Sequence, residues 1–145
     1  MCIFCMIANH EVPSKIVYED DKFIAFLDLT QTTKGHTLVV PKRHSKNIYE
    51  LNDEDAKDAM FVAKKVALML KKAFNPIGMN VVNNNERPLQ SVEHFHIHLI
   101  PRYEKDGFDV SFKDNSKTTD LDATLKEILD ANTQKLILVI KPLYM

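Results

Sequence analysis

Apolar and polar residues near the start of the chain follow the pattern of short β-strands. Residues 15–29, KIVYEDDKFIAFLDL, contain two apolar runs on either side of a polar turn at residues 19–22, and this arrangement predicts a β-hairpin. Residues 36–41, HTLVVP, form a β-branched run that ends at Pro41. Because proline cannot donate a ladder hydrogen bond, it suits the end of a strand. These segments predict three strands.

The pattern changes to a helical period between Asn52 and Phe74. Acidic residues lie at the start of this segment and lysines at its end, which matches the helix macrodipole. Asn52 is the predicted N-cap, and Pro76 and Gly78 are predicted to stop the helix. The apolar residues that carry the period are Ala56, Met60, Ala63, Ala67 and Leu70.

Two further segments complete the predicted sheet, residues 79–84 (MNVVNN) and 94–101 (HFHIHLIP). The predicted fold class is α+β, with a five-stranded antiparallel sheet and one long helix, in a domain at residues 1–112. Such a sheet leaves an exposed edge and a limited core, which predicts a homodimer.

A C-terminal extension is predicted at residues 113–145. Its segment LDATLKEILDAN predicts a helix over about residues 120–131, because four apolar side chains fall on one side of it. The tail at residues 133–145 has no assigned role, and three alternatives stay open for it: an added edge strand, a contact with a partner subunit, or an anomaly of this chain. The four apolar residues are Leu121, Leu125, Ile128 and Leu129.

Composition limits the functions that the chain can have. Hydrophobic residues make up 45% and charged residues 27% of the 145 residues, as in a globular domain that folds alone. The 19 Lys and Arg residues are balanced by 20 Asp and Glu residues, so no nucleic-acid partner is expected. The chain shows neither a signal-peptide pattern nor a membrane-spanning segment, which predicts a cytoplasmic protein with no membrane partner. In that reducing compartment Cys2 and Cys5 are expected to be free or bound to a metal.

Three of the six histidines, His94, His96 and His98, lie at alternate positions. On a strand these imidazoles face one way while Phe95 and Ile97 face the other. The alternatives are a polar solvent face, a metal site, or nucleophilic catalysis at phosphorus. One metal cannot bind all three rings, since His94 and His98 are about 13 Å apart at about 3.3 Å per residue. A neutral imidazole with one nitrogen held by an acceptor can attack phosphorus with the other.

The segment HFHIHLIPR resembles the histidine-triad (HIT) motif, in which histidines alternate with apolar residues. The stretches VVNNNERPLQSVEH, IVYEDDKFIAFLDL and KGHTLVVPKRH are similar to other segments of the same family, so the resemblance covers residues 1 to about 103. It implies a HIT-like fold with a short N-terminal helix. It also implies a dimeric nucleotide hydrolase, of the phosphoramidase type, that cleaves a purine nucleoside monophosphate from a leaving group on its α-phosphate.

The resemblance also implies a role for each matching residue. His96 would be the nucleophile and would form a covalent nucleotidyl-histidine. His98 and Ser91 would assist the leaving group, and His36 would support this cluster. Leu89 stands where the family usually has glycine, which puts close backbone approach to the phosphate in doubt. The implied nucleotide contacts are Asp28 at the ribose, Asn83 and Gln90 on the phosphate side, and Ile3, Phe4, Phe26 and Leu29 in the base pocket.

The N-terminal cysteines complete a predicted structural zinc site. In some similar bacterial proteins the positions of Cys2, Cys5, His44 and His94 hold zinc, and two thiolates with two imidazoles form a closed tetrahedral site. No organic cofactor and no catalytic metal are implied. Two other functions stay open: a diadenosine polyphosphate hydrolase with the same mechanism, and a zinc-stabilised nucleotide-binding protein with little catalysis. The sequence does not identify the leaving group.

Overall fold

The structure, a computed structural model, describes the backbone of residues 1–140 and the side chains of residues 1–133. The chain forms two compact units, Met1–Phe108 and a second that begins at Asp109. The first unit contains α1 (Ile3–Ala8), β1 (Ile16–Glu19), β2 (Phe23–Leu27), β3 (Thr37–Pro41), α2 (Asp53–Phe74), β4 (Gly78–Val82) and β5 (Ile97–Arg102), and the second contains α3 (Leu121–Ile140).

All five strands form one sheet in the order β1-β2-β3-β5-β4, and every neighbouring pair is antiparallel. This confirms the predicted α+β fold. His98 on β5 pairs with Leu38 of β3 on one side and with Val82 of β4 on the other. The position of His98 is therefore set by strands on both sides of β5 rather than by a loop.

Both faces of the sheet carry a buried core. On β2, Phe23 and Ala25 belong to the core shared with α2, whereas Ile24 and Phe26 belong to the core shared with Phe4 of α1. Each large apolar side chain that is fully buried in this way contributes about 1.5–3 kcal/mol. The face covered by α1 is the one on which the candidate active site lies.

The long helix α2 has the predicted ends. The Oδ1 atom of Asn52 accepts a hydrogen bond from the backbone N–H of Asp55 at 2.8 Å, so Asn52 is the N-cap. At the other end Asn75 adopts a left-handed conformation, with φ 47°, and its N–H donates to the carbonyl of Lys71.

The buried face of α2 differs from the set of residues that carried the predicted period. Ala63 and Leu70 are buried, but Ala56 is exposed and Met60 is 59% exposed. The apolar period indicated the wrong buried face because alanines occur on both sides of the helix. The buried residues that pack on the sheet are Ala59, Val62, Ala63, Val66 and Leu70.

The fifth strand begins later than the sequence predicted. It starts at Ile97, and the chain bends before it, where the N–H of His94 donates to the carbonyl of Val92. The predicted alternation nevertheless continues through this bend. Phe95 and Ile97 are buried in the core shared with α2, whereas the ring of His96 contacts Phe4 of α1.

The second unit contains α3, which extends beyond the predicted helix of about residues 120–131 and reaches Ile140. The apolar side chains that predicted this helix, from Leu121 to Leu129, are exposed within the described part of the chain. The predicted boundary at residues 112/113 stays a prediction. The alternatives for the tail also stay predictions, because the side chains beyond residue 133 lie outside the described residues. None of the helices described is both long and apolar enough to cross a membrane.

Candidate active site

His96 is held so that one ring nitrogen faces a backbone carbonyl. Its Nδ1 atom lies 2.7 Å from the carbonyl oxygen of His94, and the residue is 2% exposed. Because a carbonyl oxygen only accepts hydrogen bonds, Nδ1 must carry the proton, and the lone pair is therefore on Nε2. Phe4 packs edge-on against this ring, with the ring centroids 5.0 Å apart. This is the tautomer that a nucleophilic imidazole requires.

His98 is held by a second imidazole. The backbone N–H of Thr32 donates to Nδ1 of His36 at 3.3 Å, so the proton of His36 is on Nε2. This Nε2–H donates to Nδ1 of His98 at 2.9 Å. Nε2 of His98 consequently carries a proton, and the rings of His96 and His98 lie 4.9 Å apart. The two neighbouring histidines thus present a lone pair and an N–H donor respectively.

Burial keeps this histidine cluster uncharged near neutral pH. It lowers the pKa of His36 and of His96 below the ordinary value. The pKa of His98 is lowered further, to about 4, because burial is reinforced by the neighbouring His96 and His36. Uncharged rings are needed if one of them is to act as a nucleophile.

Asp28 lies just after β2, beside His36. Its Oδ1 atom accepts hydrogen bonds from the backbone N–H and the hydroxyl of Thr30, at 2.8 and 2.6 Å. Its Oδ2 atom lies 3.7 Å from Nε2 of His36. Burial raises the pKa of Asp28, but the hydrogen bonds from Thr30 and the nearby histidines His36 and His98 outweigh it, so the pKa lies below the ordinary value. The carboxylate is therefore ionised at neutral pH.

A cavity of about 320 Å³ opens between α1, the end of β2 and the histidine cluster. It brings together eight of the residues that the sequence predicted for the site, and its far end is apolar. The predicted residues that line it are Ile3, Phe4, Phe26, Asp28, Leu29, Ser91, His96 and His98.

Other residues of the cavity wall were not predicted from the sequence. Ile7 lies one helical turn after Phe4, so the helical spacing in α1 was a usable signal for it. Ser14 and Lys15 lie in an irregular segment before β1 and gave no pattern that could identify them.

Two of the residues predicted to contact the nucleotide form hydrogen bonds within the chain. The Nδ2 atom of Asn83 donates to the carbonyl of His96 at 2.9 Å. Gln90 is 2% exposed, and its amide nitrogen donates to the carbonyls of Lys46 and Val92. Gln90 thus holds the loop that carries Ser91, and its direct contact with a nucleotide stays a prediction.

Leu89 does not fill the space near the histidines. Its side chain is 72% exposed and does not line the cavity, although the family usually has glycine at this position. The side chain of Leu89 therefore does not reduce the volume of the cavity.

A second cluster joins the N-terminus to the start of the histidine segment. Cys2 is the N-cap of α1, and its sulfur lies 3.3 Å from Nδ1 of His94. The sulfur of Cys5 lies 3.4 Å from Nδ1 of His44 and 3.5 Å from Nδ1 of His94. Nε2 of His94 donates to the carbonyl of Pro41 at 2.7 Å, so its Nδ1 lone pair faces the two sulfurs.

The spacing of this cluster fits a tetrahedral zinc ion. Sulfur and nitrogen ligands at about 2.3 and about 2.0–2.1 Å from zinc lie about 3.3–3.8 Å from one another. The sulfur–nitrogen distances are 3.3–3.5 Å, and the two Nδ1 atoms of His44 and His94 are 3.1 Å apart. Without a cation, burial and the neighbouring Cys2 raise the pKa of Cys5 to about 11. The donor set therefore suits a metal that stabilises thiolates.

The comparisons with known proteins agree with this geometry. The HIT domain family matches residues 9–105. The chain is 42% identical over 102 residues to the adenosine 5'-monophosphoramidase hnt1 of Schizosaccharomyces pombe, covering 70% of this chain and 74% of that protein. It superposes on a HIT family member from Bacillus subtilis with a TM-score of 0.83 and 44% identity, over 92% and 95% of the two chains. For a Zn-bound histidine triad family protein from Mycobacterium smegmatis the TM-score is 0.71 and the identity 29%, over 79% and 84%.

Proposed function

The chain belongs to the HIT domain family, and from this premise we propose that it is a hydrolase that releases a nucleoside monophosphate from a leaving group on the α-phosphate. The observation that carries the proposal is the tautomer of His96, whose Nδ1–H is held by a carbonyl so that the Nε2 lone pair is available. The yeast relative of similar sequence is named an adenosine 5'-monophosphoramidase. We therefore take a purine nucleoside phosphoramidate as the reference substrate.

In the first step Nε2 of His96 attacks the α-phosphorus, and the bond from phosphorus to the leaving group breaks. Positive charge develops on the imidazole as the phosphorus–nitrogen bond forms. The carbonyl oxygen of His94, 2.7 Å from Nδ1, stabilises this charge. Binding of the anionic substrate raises the pKa of His98 and protonates it, and the departing atom takes a proton from Nε2 of this imidazolium, assisted by the hydroxyl of Ser91.

In the second step water attacks the same phosphorus, and the phosphorus–nitrogen bond to His96 breaks. The proton that the water loses returns to Nε2 of His98, so the two steps balance and the histidine cluster is regenerated. The hydrogen bond between His36 and His98 keeps the His98 ring oriented.

The cavity accounts for recognition of the nucleoside. The purine occupies the apolar end, against Phe4 and Phe26, which pack edge-on against each other with ring centroids 5.5 Å apart. A ribose hydroxyl donates to Oδ2 of Asp28, because Oδ1 is already bonded to Thr30. The α-phosphate then lies at the histidine end of the cavity.

The test of this function is the trapping of the intermediate. Rapid-quench mass spectrometry of the protein with adenosine 5'-phosphoramidate should find a nucleotidyl group on His96 during turnover. A His96→Ala protein should show neither the adduct nor turnover. Turnover by the parent without an adduct at His96 would refute the covalent mechanism, and absence of turnover on adenosine and guanosine phosphoramidates would refute the function.

We further infer a structural zinc ion held by Cys2, Cys5, His44 and His94. The ion would supply no reaction step, since two thiolates and two imidazoles leave no open ligand position. It would tie α1 to the histidine segment and so hold Phe4 beside His96. Metal analysis of protein purified without chelators should give one zinc per chain.

We also propose that the protein is a homodimer. Large apolar side chains are exposed along α2 and on and before β4, which supports a subunit interface there. Light scattering at micromolar concentration should give twice the mass of the chain, and a monomer would contradict the proposal. The exposed residues are Met60, Phe61, Leu68, Met69, Ile77 and Val81.

A further inference from the structure

The loop between β2 and β3 connects two residues of the candidate active site. Asp28 directly follows β2, and His36 directly precedes β3. The N–H of Asp28 donates to the carbonyl of His36 at 2.9 Å, so the pairing of the two strands extends beyond their ends. The position of the Asp28 carboxylate relative to the His36 ring therefore depends on how residues 29–35 close the loop.

The side chain of Gln31 closes this loop from the inside. Its Nε2 atom donates to the carbonyl of Asp28 at 2.6 Å and to the carbonyl of His36 at 2.8 Å. Its Oε1 atom accepts from the N–H of Gly35 at 2.9 Å. Because a carbonyl only accepts and an N–H only donates, these partners fix the orientation of the amide. We call these three hydrogen bonds the inner clamp.

The backbone of Gln31 is left-handed, which is uncommon for a residue with a Cβ atom. Its φ is 43°, and its N–H donates to the carbonyl of Asp28 at 3.2 Å. A conformation of this kind persists only where the surrounding bonds over-determine it, and such residues cluster at ligand sites. Here the inner clamp and the backbone bond together hold the conformation.

The outer side of the same loop is tied to β5, the strand that carries His98. The buried hydroxyl of Thr33 donates to the carbonyl of Pro101 at 2.6 Å. The hydroxyl of Tyr103, which follows β5, donates to the carbonyl of Lys34 at 2.7 Å. These outer bonds share no donor or acceptor atom with the inner clamp, so each set can be removed separately.

The closed loop determines which nitrogen of His36 carries the proton. Thr32, the residue after Gln31, donates its N–H to Nδ1 of His36 at 3.3 Å, which is long for a hydrogen bond. A small displacement of the loop would break this bond and let the proton of His36 move to Nδ1. Nε2 of His36 would then present a lone pair to Nδ1 of His98, 2.9 Å away. His98 would in turn favour a proton on Nδ1, and its Nε2 would no longer be a donor.

We propose that Gln31 is a positioning residue of the candidate active site. By joining the carbonyls of Asp28 and His36, it keeps Thr32 against the His36 ring and so keeps Nε2 of His98 protonated for the leaving-group step. Gln31 itself is half-buried and does not line the nucleoside cavity. The inference rests on the proposed hydrolase function and adds a residue to the machinery of that function.

The first test measures the tautomers directly, by ¹⁵N NMR of the imidazoles in the substrate-free protein at neutral pH. The parent should give the shifts of one tautomer, protonated on Nε2, for both His36 and His98. Gln31→Met keeps a long side chain but removes the inner clamp, and it should move the shifts of both rings towards the average of two tautomers. The shifts of His96 should stay, because its Nδ1–H bonds to the carbonyl of His94. Unchanged shifts of His36 and His98 would overturn the proposal, whether or not the protein is a hydrolase.

A second variant, Gln31→Glu, tests the same step without a change in size. Its carboxylate can still accept from the N–H of Gly35, but it cannot donate to the two carbonyls. It should therefore move the shifts of His36 and His98 in the same direction as Gln31→Met. Parent-like shifts in a folded Gln31→Glu protein would show that the two donated bonds are not needed.

The kinetic test asks whether Gln31 acts through His98. Gln31→Met should lower kcat about 10- to 100-fold for an alkyl nucleoside phosphoramidate, as expected for a misplaced reacting group. The loss should be smaller for a nucleotide ester of a weakly basic phenol, whose leaving group needs no proton. In the His98→Asn background the same substitution should change kcat by less than about twofold, because the two residues act as a unit. Additive losses in the double variant would overturn the proposal. If the parent shows no turnover, the hydrolase function fails and the NMR result alone decides the role of Gln31.

The matched control is Tyr103→Phe, which removes one outer bond of the same loop. This variant should keep the imidazole shifts and keep kcat within about twofold of the parent, even if its melting temperature falls. The comparison separates the inner clamp from general loosening of the loop. If Tyr103→Phe moves the shifts of His36 and His98 as far as Gln31→Met does, Gln31 has no positioning role of its own.

Discussion

The two ends of the histidine segment use the same side chain for different purposes. At one end Nε2 of His94 donates to the carbonyl of Pro41, and its Nδ1 lone pair faces two thiols and His44. At the other end Nδ1 of His98 accepts from His36, and no sulfur is nearby in the described cluster. The first arrangement suits a metal ion, and the second suits the transfer of a proton.

The comparison shows that the partner of the second ring nitrogen decides what the first can do. Asp28, His36 and His98 also have ligand atoms within 4.8 Å of one another. However, the space between His36 and His98 is taken by a proton, since one ring donates to the other at 2.9 Å. A metal at this position would have to displace that hydrogen bond. In the cysteine-containing cluster the Nδ1 atoms of His44 and His94 approach to 3.1 Å, and the sulfurs of Cys2 and Cys5 lie beside them as two further ligand atoms.

The largest effect that distinguishes the two ends should come from His96→Ala. This substitution removes the nucleophile and should reduce kcat by about 10⁴-fold or more. Zinc content and affinity for adenosine monophosphate should stay near those of the parent, because His96 contributes no metal ligand. Single-turnover kinetics and calorimetry on the same preparation measure both properties. A kcat near that of the parent would show that the ring does not attack phosphorus.

A smaller and substrate-dependent loss should follow His98→Asn. Loss of a general acid costs about 10²–10⁴-fold in rate when the leaving group needs a proton. The loss should therefore be large for an alkyl phosphoramidate and small for a nucleotide ester of a weakly basic phenol. Equal losses with the two substrates would mean that His98 orients the substrate and does not deliver a proton.

At the cysteine-containing cluster, His94→Ala should mainly lower the stability of the folded protein. A metal present at about a thousand times its dissociation constant adds about 4 kcal/mol to the free energy of unfolding. Loss of this contribution should lower the melting temperature by about 10 °C or more in a chain of this size. Metal analysis and calorimetric melting, with chelator-treated parent protein as the matched control, measure the effect. Retention of one zinc per chain in His94→Ala would remove this residue from the site.

The smallest effect should be a difference in the acid sensitivity of folding that is caused by His98. The pKa of His98 is about 4 in the folded chain and about 6.5 in an unfolded one. Between these pH values the unfolded chain binds more protons, so the free energy of unfolding falls as the pH decreases from about 6.5 to about 4. Urea unfolding at pH 7 and pH 5 should therefore show a larger loss for the parent than for His98→Asn. Identical losses would show that His98 is not held uncharged by burial.

Local sequence patterns were sufficient for much of the fold, as the first strands and α2 show. Strand alternation depends on the two-residue period of the backbone, and the N-cap at Asn52 depends on a side chain that bonds three residues away. The pattern failed for the buried face of α2, where Met60 is exposed. A residue of that type is buried only if another element covers it, and local sequence does not report which side is covered.

For the candidate site, the alternation was enough to predict that His94, His96 and His98 lie on one side of the chain. The resemblance to the HIT motif was enough to associate them with phosphorus chemistry. Only the tertiary structure decided which nitrogen of each ring carries a proton. For His98 and His94 the deciding partners are distant in sequence, since His36 lies 62 positions from His98 and Pro41 lies 53 positions from His94. For His96 the partner is the carbonyl of His94, which the bend before β5 turns towards the ring. A tautomer is set by the donor or acceptor that the fold places beside the ring, and spacing along one strand cannot specify a partner from another.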